Sequence, residues 1–241
     1  MNLFEKAVNG DEFLFRQLLS FEKLLKEGKV SRLLLIEKAS ENGNINATKM
    51  LGDMYFKGID VQKDIKKAIK YYSISSDKGN LKSTYNLGII YLNGDVSFKR
   101  DISKAISFLE RCVNSSRALY NLGVIYENGV DEVYRNLKKA KKYYSQSAFL
   151  GNKLAENNLA NFYKNGIEGK KSIKKAITLY ERSGSKGNDK AHYNLGMLYL
   201  IIRKDNTLAS KYLKLSSKAG NEQATRELEL LSSNLKKRKR S

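Results

Sequence analysis

The sequence predicts an all-α protein, a right-handed α/α solenoid in which helical hairpins of about 36 residues stack on one another. Three observations lead to this prediction. The string YNLG recurs at 85–88, 120–123 and 193–196. Apolar residues recur every three or four positions, which is the period of one helix face. Proline is absent from all 241 residues, so glycine has to supply the ends of the helices.

The first helix of each hairpin, helix A, carries a leucine, a small residue and a tyrosine at fixed spacing. A second small residue stands four positions before each leucine and the tyrosine four positions after it, which places these three side chains on one stripe. Because glycine inside a helix costs about 1 kcal/mol against alanine, we expect two helices to cross closely there, against the alanine of helix B. The five copies are Leu51-Gly52-Tyr55, Leu87-Gly88-Tyr91, Leu122-Gly123-Tyr126, Leu159-Ala160-Tyr163 and Leu195-Gly196-Tyr199.

The second helix, helix B, begins with a capping residue and carries an alanine followed by two large side chains. The five caps can each accept a hydrogen bond from a first-turn amide. Glycines follow both helices and suit the left-handed residue that ends a helix, but in the fifth copy Ile202 replaces the glycine after helix A, so its turn stays unassigned. The caps, alanines and pairs are Asp64, Ala68 and Tyr71-Tyr72; Asp101, Ala105 and Phe108-Leu109; Asn136, Ala140 and Tyr143-Tyr144; Ser172, Ala176 and Leu179-Tyr180; and Asp205, Ala209 and Tyr212-Leu213.

This pattern resembles the Sel-one-like repeat (SLR) family, a relative of the tetratricopeptide repeat. The family pattern A-x-x-x-L-G-x-x-Y-x-x-G, followed by an acidic cap, K-A and an aromatic pair, matches ATKMLGDMYFKG at 47–58 and DIKKAIKYY at 64–72. The resemblance implies five SLR hairpins over 47–221, an N-terminal helical cap with a degenerate repeat in 1–46, and a C-terminal capping helix with a polybasic tail in 222–241.

We find no constellation of residues that predicts catalysis, a cofactor or a metal ion. The chain has one histidine, His192, and one cysteine, Cys112, which lie more than two repeats apart. Because solenoid units contact only their neighbours, these two side chains are not expected to meet, and Cys112 is interpreted as a packing residue. Since no secretory signal or membrane span is evident, we expect a cytoplasmic protein, and the basic C-terminus leaves nuclear or effector roles open.

The resemblance also predicts a partner-binding surface, because helix A lines the concave, ligand-bearing face of tetratricopeptide solenoids. The tyrosines of YNLG would be apolar anchors. The asparagines could either hold the backbone of an extended peptide or bond the backbone of a neighbouring repeat and hold the stack. The predicted concave residues are Tyr85, Asn86, Ile89, Tyr120, Asn121, Val124, Asn158, Tyr193, Asn194 and Met197.

The formal charge of +20 is concentrated in residues 47–221, which carry 32 basic and 15 acidic side chains. Many of these lysines lie at the start of helix B, next to the positive end of the helix dipole, so we do not expect them to serve helix stability. They form either a solvated face or a surface for an acidic partner. The predicted basic ridge consists of Lys66, Lys67, Lys104, Lys138, Lys139, Lys174 and Lys175.

These observations together predict a non-catalytic protein–protein interaction scaffold or adaptor, monomeric alone, that binds an acidic protein or an extended peptide. Known relatives of the SLR family extend this to a bacterial immunity, accessory or host-interaction protein. The alternative function is a basic solenoid that binds nucleic acid, for which the sequence shows no recognition motif.

Overall fold

The chain folds as a succession of helices joined by short turns. The computed structural model describes the backbone of residues 32–238 and the side chains of residues 32–233, and within this part it contains no strand longer than the isolated bridges Asp95–Phe98 and Val130–Val133. The predicted all-α class is confirmed. The helices are α1 (Arg32–Glu41), α2 (Ile45–Lys57), α3 (Ile65–Asp77), α4 (Leu81–Asn93), α5 (Ile102–Glu110), α6 (Ser116–Asn128), α7 (Leu137–Phe149), α8 (Lys153–Asn165), α9 (Ile173–Ser185), α10 (Asp189–Leu198), α11 (Asn206–Lys218) and α12 (Glu222–Arg238).

The helices pair into the hairpins that the sequence predicts. Helices α2, α4, α6, α8 and α10 are the A helices of repeats one to five, and each packs against the B helix that follows it. Helix α1 lies in the predicted N-terminal cap, whose residues 1–31 are outside the described part, and α12 occupies most of the predicted C-terminal segment 222–241. The chain divides after Cys112 into two compact units, at a turn where Ser115, rather than a Gly-Asn pair, caps the next helix.

Each helix B begins at the predicted capping residue. The side chains of Asp64, Asp101, Asn136, Ser172 and Asp205 each accept a bond from the backbone amide three residues later. The backbone N–H of every cap also donates to the carbonyl of the repeat tyrosine on helix A, at 2.7–3.0 Å. One bond therefore closes the A–B loop in all five repeats. Its partners are Asp64–Tyr55, Asp101–Tyr91, Asn136–Tyr126, Ser172–Tyr163 and Asp205–Tyr199.

The small residue of helix A lies chiefly against the second large side chain of helix B, and the alanine proposed from the sequence contributes in the second repeat, where the Ala105 carbonyl oxygen would lie 3.5 Å from a Cβ added at Gly88. A Cβ atom at Gly52 would lie 2.5 Å from ring carbons of Tyr72, and one at Gly123 would lie 2.5 Å from Tyr144. The same contact is made with leucine where Gly88 meets Leu109, at 2.9 Å from the added Cβ. The predicted close crossing is confirmed, and its partner is a large side chain because the ring fills the space that the missing Cβ leaves.

A buried hydroxyl joins the two helices of each hairpin at the other end. The residue three positions after the second large side chain donates to the carbonyl of the first residue of helix A. In the second repeat this donor is the Cys112 thiol, which is buried and lies 3.6 Å from the Leu81 carbonyl oxygen, so a weak sulfur donor replaces a hydroxyl. The hydroxyl bonds are Ser75–Ile45 at 3.1 Å, Ser147–Ser116 at 2.6 Å, Ser183–Lys153 at 2.5 Å and Ser216–Asp189 at 2.9 Å.

The fifth repeat makes its A–B turn without glycine. Helix α10 continues into a π-helical turn, Tyr199–Arg203, which ends at Lys204 in the left-handed conformation with φ 53°. The wider turn lets Asp205 reach the Tyr199 carbonyl at 3.0 Å only six positions after the tyrosine. Ile202 is exposed and is not the residue that reverses the chain. The turn that the sequence left unassigned is therefore closed by a change of helix type.

The histidine lies where helix α10 meets helix α9 of the preceding repeat. The His192 ring covers Gly184, where an added Cβ would overlap ring atoms, and it stacks on Tyr212 of helix α11 with centroids 6.3 Å apart. Burial lowers the pKa of His192 below its usual 6.5, and the negative charge of Asp189 opposes this only in part. The folded protein therefore favours the neutral imidazole.

We expect Gly123→Ala to destabilise the protein, because the new methyl group overlaps the buried ring of Tyr144. Overpacking of a core costs about 1–3 kcal/mol, whereas alanine recovers about 1 kcal/mol of helix propensity, so the melting temperature should fall. The matched control is Ala160→Gly, which removes a methyl group at the equivalent position and should lose about 1 kcal/mol through propensity. A melting temperature of Gly123→Ala at or above that of the wild type would contradict the proposed contact.

Acid should weaken the fold through His192. Because its pKa is lower in the folded state, the unfolded chain binds the proton more readily, and stability should be full above about pH 6.5 and fall as the pH drops below it. His192→Gln should lose less stability between pH 7.5 and 5.5, measured by thermal unfolding. Since the chain has a single histidine and carboxyl groups titrate mainly below pH 5, equal pH dependence of the two proteins would show that His192 is not responsible.

Candidate partner-binding surfaces

In the first unit, two of the three predicted concave residues line a cavity between the first two repeats. Tyr85, Asn86 and Ile89 are all half-buried on helix α4. Asn86 and Ile89 face side chains of helix α2 across a cavity of about 240 Å³, and Tyr85 is not part of its lining. The lining residues are Lys49, Asp53, Phe56, Lys57, Tyr72, Asn86, Ile89 and Ile90.

A carboxylate organises the polar side of this cavity. Asp53 accepts a bond from the Tyr72 hydroxyl at 2.7 Å, pairs with Lys49, and lies 3.5 Å from the amide nitrogen of Asn86. Burial and the bond to Asp53 raise the pKa of Tyr72, so this hydroxyl stays protonated and donates. Asn86 is thus directed at a side chain of the preceding repeat, at a distance that is long for a hydrogen bond.

The second unit contains the other seven predicted concave residues, on helices α6, α8 and α10. All of them are half-buried. The Tyr120 ring lies 6.0 Å from the Tyr144 ring, and burial together with Glu127 raises the pKa of Tyr120. These residues are Tyr120, Asn121, Val124, Asn158, Tyr193, Asn194 and Met197.

Two of the asparagines in this unit belong to a ladder of amides. The Asn194 amide donates to the side-chain oxygen of Asn157 at 2.9 Å, and the Asn157 amide donates to Asn158 at 3.2 Å. These contacts match the stack-holding alternative, although the partner is a side chain and not the backbone that the sequence analysis named. The role of the asparagines in partner binding stays a prediction.

The predicted basic-ridge lysines are all exposed. They occupy the second and third positions of the B helices, and those of helices α3 and α5 lie in the first unit while those of α7 and α9 lie in the second. Lys104 pairs with Asp101 at 3.0 Å. Within the described part of the chain, no carboxylate lies in ion-pair distance of the other six.

Four of the seven lysines have a structural role that the sequence analysis did not expect. The ammonium groups of Lys67, Lys104, Lys139 and Lys175 lie 4.7–5.4 Å from the ring centroids of the repeat tyrosines Tyr55, Tyr91, Tyr126 and Tyr163. A cation over an aromatic ring contributes about 0.5–1 kcal/mol at an exposed site. This attraction offsets the unfavourable interaction with the helix dipole, a contact that the expectation about helix stability did not include.

The fourth repeat contains a buried charge that was not predicted from the sequence. Glu156 is completely buried on helix α8, and Arg182 and Lys186 each place a nitrogen 2.7 Å from its Oε1 atom. Its position in the repeat holds Thr48 and Thr84 in the first two copies, which bond serine hydroxyls of the preceding helix. A glutamate stands where other repeats have threonine, and basic residues occur near the end of helix B in the same repeat. This combination is the signal that could have revealed the ion cluster.

Neither a metal centre nor a membrane span emerges from the part of the chain that the structure describes. Among these residues, no group of three or more histidine, cysteine, aspartate or glutamate side chains could hold a metal ion. Over the same residues, every helix is too short or too polar to cross a bilayer.

Comparison with known proteins places these features in a family. The Sel1 repeat model matches five consecutive segments, at 45–80, 81–111, 116–152, 153–188 and 189–221. Two solved structures share the fold. A protective antigen of uropathogenic Escherichia coli with an SLR fold is 25% identical, with a TM-score of 0.77 over 84% of this chain and 44% of the antigen. A Sel1 repeat protein of Oxalobacter formigenes is 24% identical, with a TM-score of 0.70 over 87% of this chain and 85% of that protein.

The curated relatives are much longer than this chain. A sel1-like repeat-containing protein of Acanthamoeba polyphaga mimivirus is 26% identical in an alignment of 127 positions that covers 47% of this chain and 23% of the viral protein. An ERAD-associated E3 ubiquitin-protein ligase component of Arabidopsis thaliana is 27% identical over 81 residues, which are 34% of this chain and 13% of the plant protein. Because the five family matches cover more than half of the sequence in unbroken order, this chain belongs to the Sel1 repeat family.

Proposed function

We propose that this chain is a non-catalytic scaffold that binds an acidic protein or an extended acidic peptide. Sel1-repeat proteins generally act as protein-interaction scaffolds, and the acidic character of the partner is the further step. The observation that carries it is the set of exposed basic-ridge lysines, six of which have no carboxylate in ion-pair distance among the described residues. An immunity, accessory or host-interaction role stays a prediction from the family resemblance.

The charge of the basic ridge is available to a partner even where the lysines also lie over tyrosine rings. A cation that interacts with an aromatic face keeps its positive field toward solvent. In the second unit, Lys141 of helix α7 and Lys175 of helix α9 lie 5.0 and 5.1 Å from the same Tyr163 ring. Lysines from successive B helices therefore come together, and their summed potential would speed the encounter with an acidic surface.

The concave residues supply a second proposed contact. Their half-burial leaves part of each tyrosine and asparagine accessible, and an amide that uses one donor still has a second donor and an acceptor. The cavity of the first unit adds an apolar floor of Phe56 and Ile90 beside the polar Asp53 network. Such a combination suits a peptide segment, with apolar area for affinity and a few polar groups for orientation.

Nucleic acid is the rival partner, because phosphates would also be attracted to the basic ridge. Binding to phosphates alone is steeply weakened by salt. The distinction between the two partners is therefore measurable, with random duplex and single-stranded oligonucleotides beside a glutamate-rich peptide at two salt concentrations.

We expect Lys138→Glu with Lys174→Glu to weaken binding of a fluorescein-labelled, glutamate-rich 15-residue peptide by about tenfold at 50 mM salt, and by less at 150 mM, because charge repulsion is screened. Fluorescence anisotropy measures the affinity. The variant should fold, since these positions carry no ring contact and glutamate suits the start of a helix.

The matched control is Lys190→Glu with Lys218→Glu. It changes the net charge equally, but at the start of helix α10 and the end of helix α11, away from the N-termini of the B helices. The control should weaken the peptide by less than about threefold, as expected for distant, screened charges. Equal losses of peptide affinity in both variants would mean that only the net charge matters. If the wild-type protein does not bind the peptide at all, the proposal is wrong. Tighter binding of an oligonucleotide than of the peptide at 150 mM salt would favour nucleic acid as the partner.

The asparagines predicted to line a concave surface are expected to differ from one another. Asn194→Ala removes a bond of 2.9 Å to Asn157 and should lower the free energy of unfolding by about 1 kcal/mol. Asn86→Ala removes a contact of 3.5 Å and should change stability much less. Thermal unfolding and peptide titration of both variants separate the two roles. An Asn194→Ala protein that melts normally yet binds peptide poorly would assign Asn194 to the partner instead of the stack.

A further inference from the structure

One repeat lacks an aromatic stack that the other four share. In those repeats the tyrosine of helix A lies parallel to the first aromatic ring of the helix B pair, with centroids 5.6–5.7 Å apart and planes within 9° of each other. In the fourth repeat the equivalent residue is Leu179, so Tyr163 has no ring from helix α9 to stack on. The four stacks are Tyr55–Tyr71, Tyr91–Phe108, Tyr126–Tyr143 and Tyr199–Tyr212.

A cavity of about 520 Å³ lies at this position. We call it the aromatic slot, and its lining residues are Leu159, Tyr163, Lys174, Lys175, Thr178 and Leu179. Leu159 is buried, Tyr163 and Leu179 are half-buried, and the remaining three residues are exposed. The slot is an open groove whose apolar lining is one tyrosine and two leucines, and the exposed lysines and threonine form its mouth.

The mouth of the aromatic slot is positively charged. Lys174 and Lys175 have no carboxylate in ion-pair distance among the described residues, and the exposed Lys170 and Lys171 precede them in the A–B loop. The Lys141 ammonium group also lies over the Tyr163 ring, 5.0 Å from its centroid, and is held there because it donates to the carbonyls of Ile167 and Glu168 at 3.0 and 2.8 Å. An occupant must therefore combine an apolar planar group with negative charge around it.

We propose that the aromatic slot binds an aromatic side chain of the partner, with aspartate or glutamate residues on both sides of it in the partner's sequence. The ring would replace the missing stack on Tyr163, since offset or parallel aromatic pairs are favoured beyond the burial of their area. The flanking carboxylates would meet Lys174 and Lys175. This inference rests on the proposed function, and it narrows the acidic partner to a peptide with one aromatic anchor.

The test uses two labelled peptides of nine residues and the full chain. One peptide has a central phenylalanine with four glutamates on each side, and the other has alanine in place of phenylalanine. The phenylalanine peptide should bind about tenfold more tightly, measured by fluorescence anisotropy. Equal affinities would overturn the slot while leaving the basic surface in place, whereas the failure of both peptides to bind would overturn the proposed function itself.

Leu179→Tyr should fill the slot with the aromatic residue found in the other repeats. The phenylalanine preference should then fall below about twofold, the alanine peptide should bind as before, and the melting temperature should not decrease. Leu215→Tyr is the matched control, since it makes the same change at an exposed position of helix α11 and should keep the preference. If Leu179→Tyr folds poorly, Thr178→Phe tests the same point, because a ring at this exposed site covers the mouth.

A further pair of variants separates the ring from the charge. Lys174→Gln with Lys175→Gln should weaken both peptides to a similar degree and preserve the ratio between them. Loss of the ratio in this variant would contradict the assignment of the preference to the ring.

A nine-residue oligothymidylate is the remaining probe, because bases also stack on tyrosine beside lysines. Binding of this oligonucleotide that Leu179→Tyr abolishes, with no phenylalanine preference among the peptides, would overturn the proposal in favour of single-stranded nucleic acid.

Discussion

The distance between the two helices of a hairpin is set by one contact, in which the backbone of helix A lies directly on a large side chain of helix B. Where Gly52 and Gly123 lie on the rings of Tyr72 and Tyr144, no atom of helix A intervenes between its backbone and the ring. These rings are almost completely buried, and their hydroxyls still reach polar groups of helix A, namely Asp53 and Glu127, at 2.7 and 2.6 Å. One side chain thus fills the core with its ring and satisfies its own polar end, which is what a buried tyrosine requires.

The polar bonds at the two ends of the hairpin act on different parts of the repeat. The serine hydroxyl, or the Cys112 thiol, ties helix B to the start of helix A, and the cap amide of helix B ties it to the tyrosine near the end of helix A. The tyrosine carbonyl is one that the end of a helix leaves open, whereas the carbonyl at the start of helix A also accepts a bond within its own helix. In the first four repeats a lysine lies over the ring of this tyrosine, which is half-buried or, as Tyr126, buried, so exposed charges of the surface are fixed to the residue that marks the repeat.

The sequence predicts the periodic part of this architecture well, because caps, turn glycines and apolar stripes depend on local chemistry. The capping role of Asp64 and the close crossing at Gly52 are both confirmed. The partner of Gly52 was assigned wrongly, since residues 68 and 72 lie on the same helix face and spacing alone cannot separate them. The contacts of Lys67 and Asn194 depend on side chains from another helix or another repeat. The spacing of residues along the sequence does not show which of these side chains meet. The binding role of the candidate site depends on a partner, so the sequence could only suggest it.

The A–B loops and the turns from helix B to the next helix A differ in how well they tolerate inserted residues. Five loops of three different lengths end in the same bond between a cap amide and a tyrosine carbonyl, so residues inserted there bulge outward and leave both helices in register. The tight Gly-Asn turn from helix B to the next helix A is closed by a bond of fixed span, from the asparagine amide to a carbonyl five positions earlier, as in Asn80–Ser75 and Asn152–Ser147. A residue inserted there would break this span. It would rotate the following helix by about 100° and turn its leucine stripe away from the core. Length variation, and with it new surface chemistry, can therefore accumulate in the A–B loops while the Gly-Asn turns keep a fixed length.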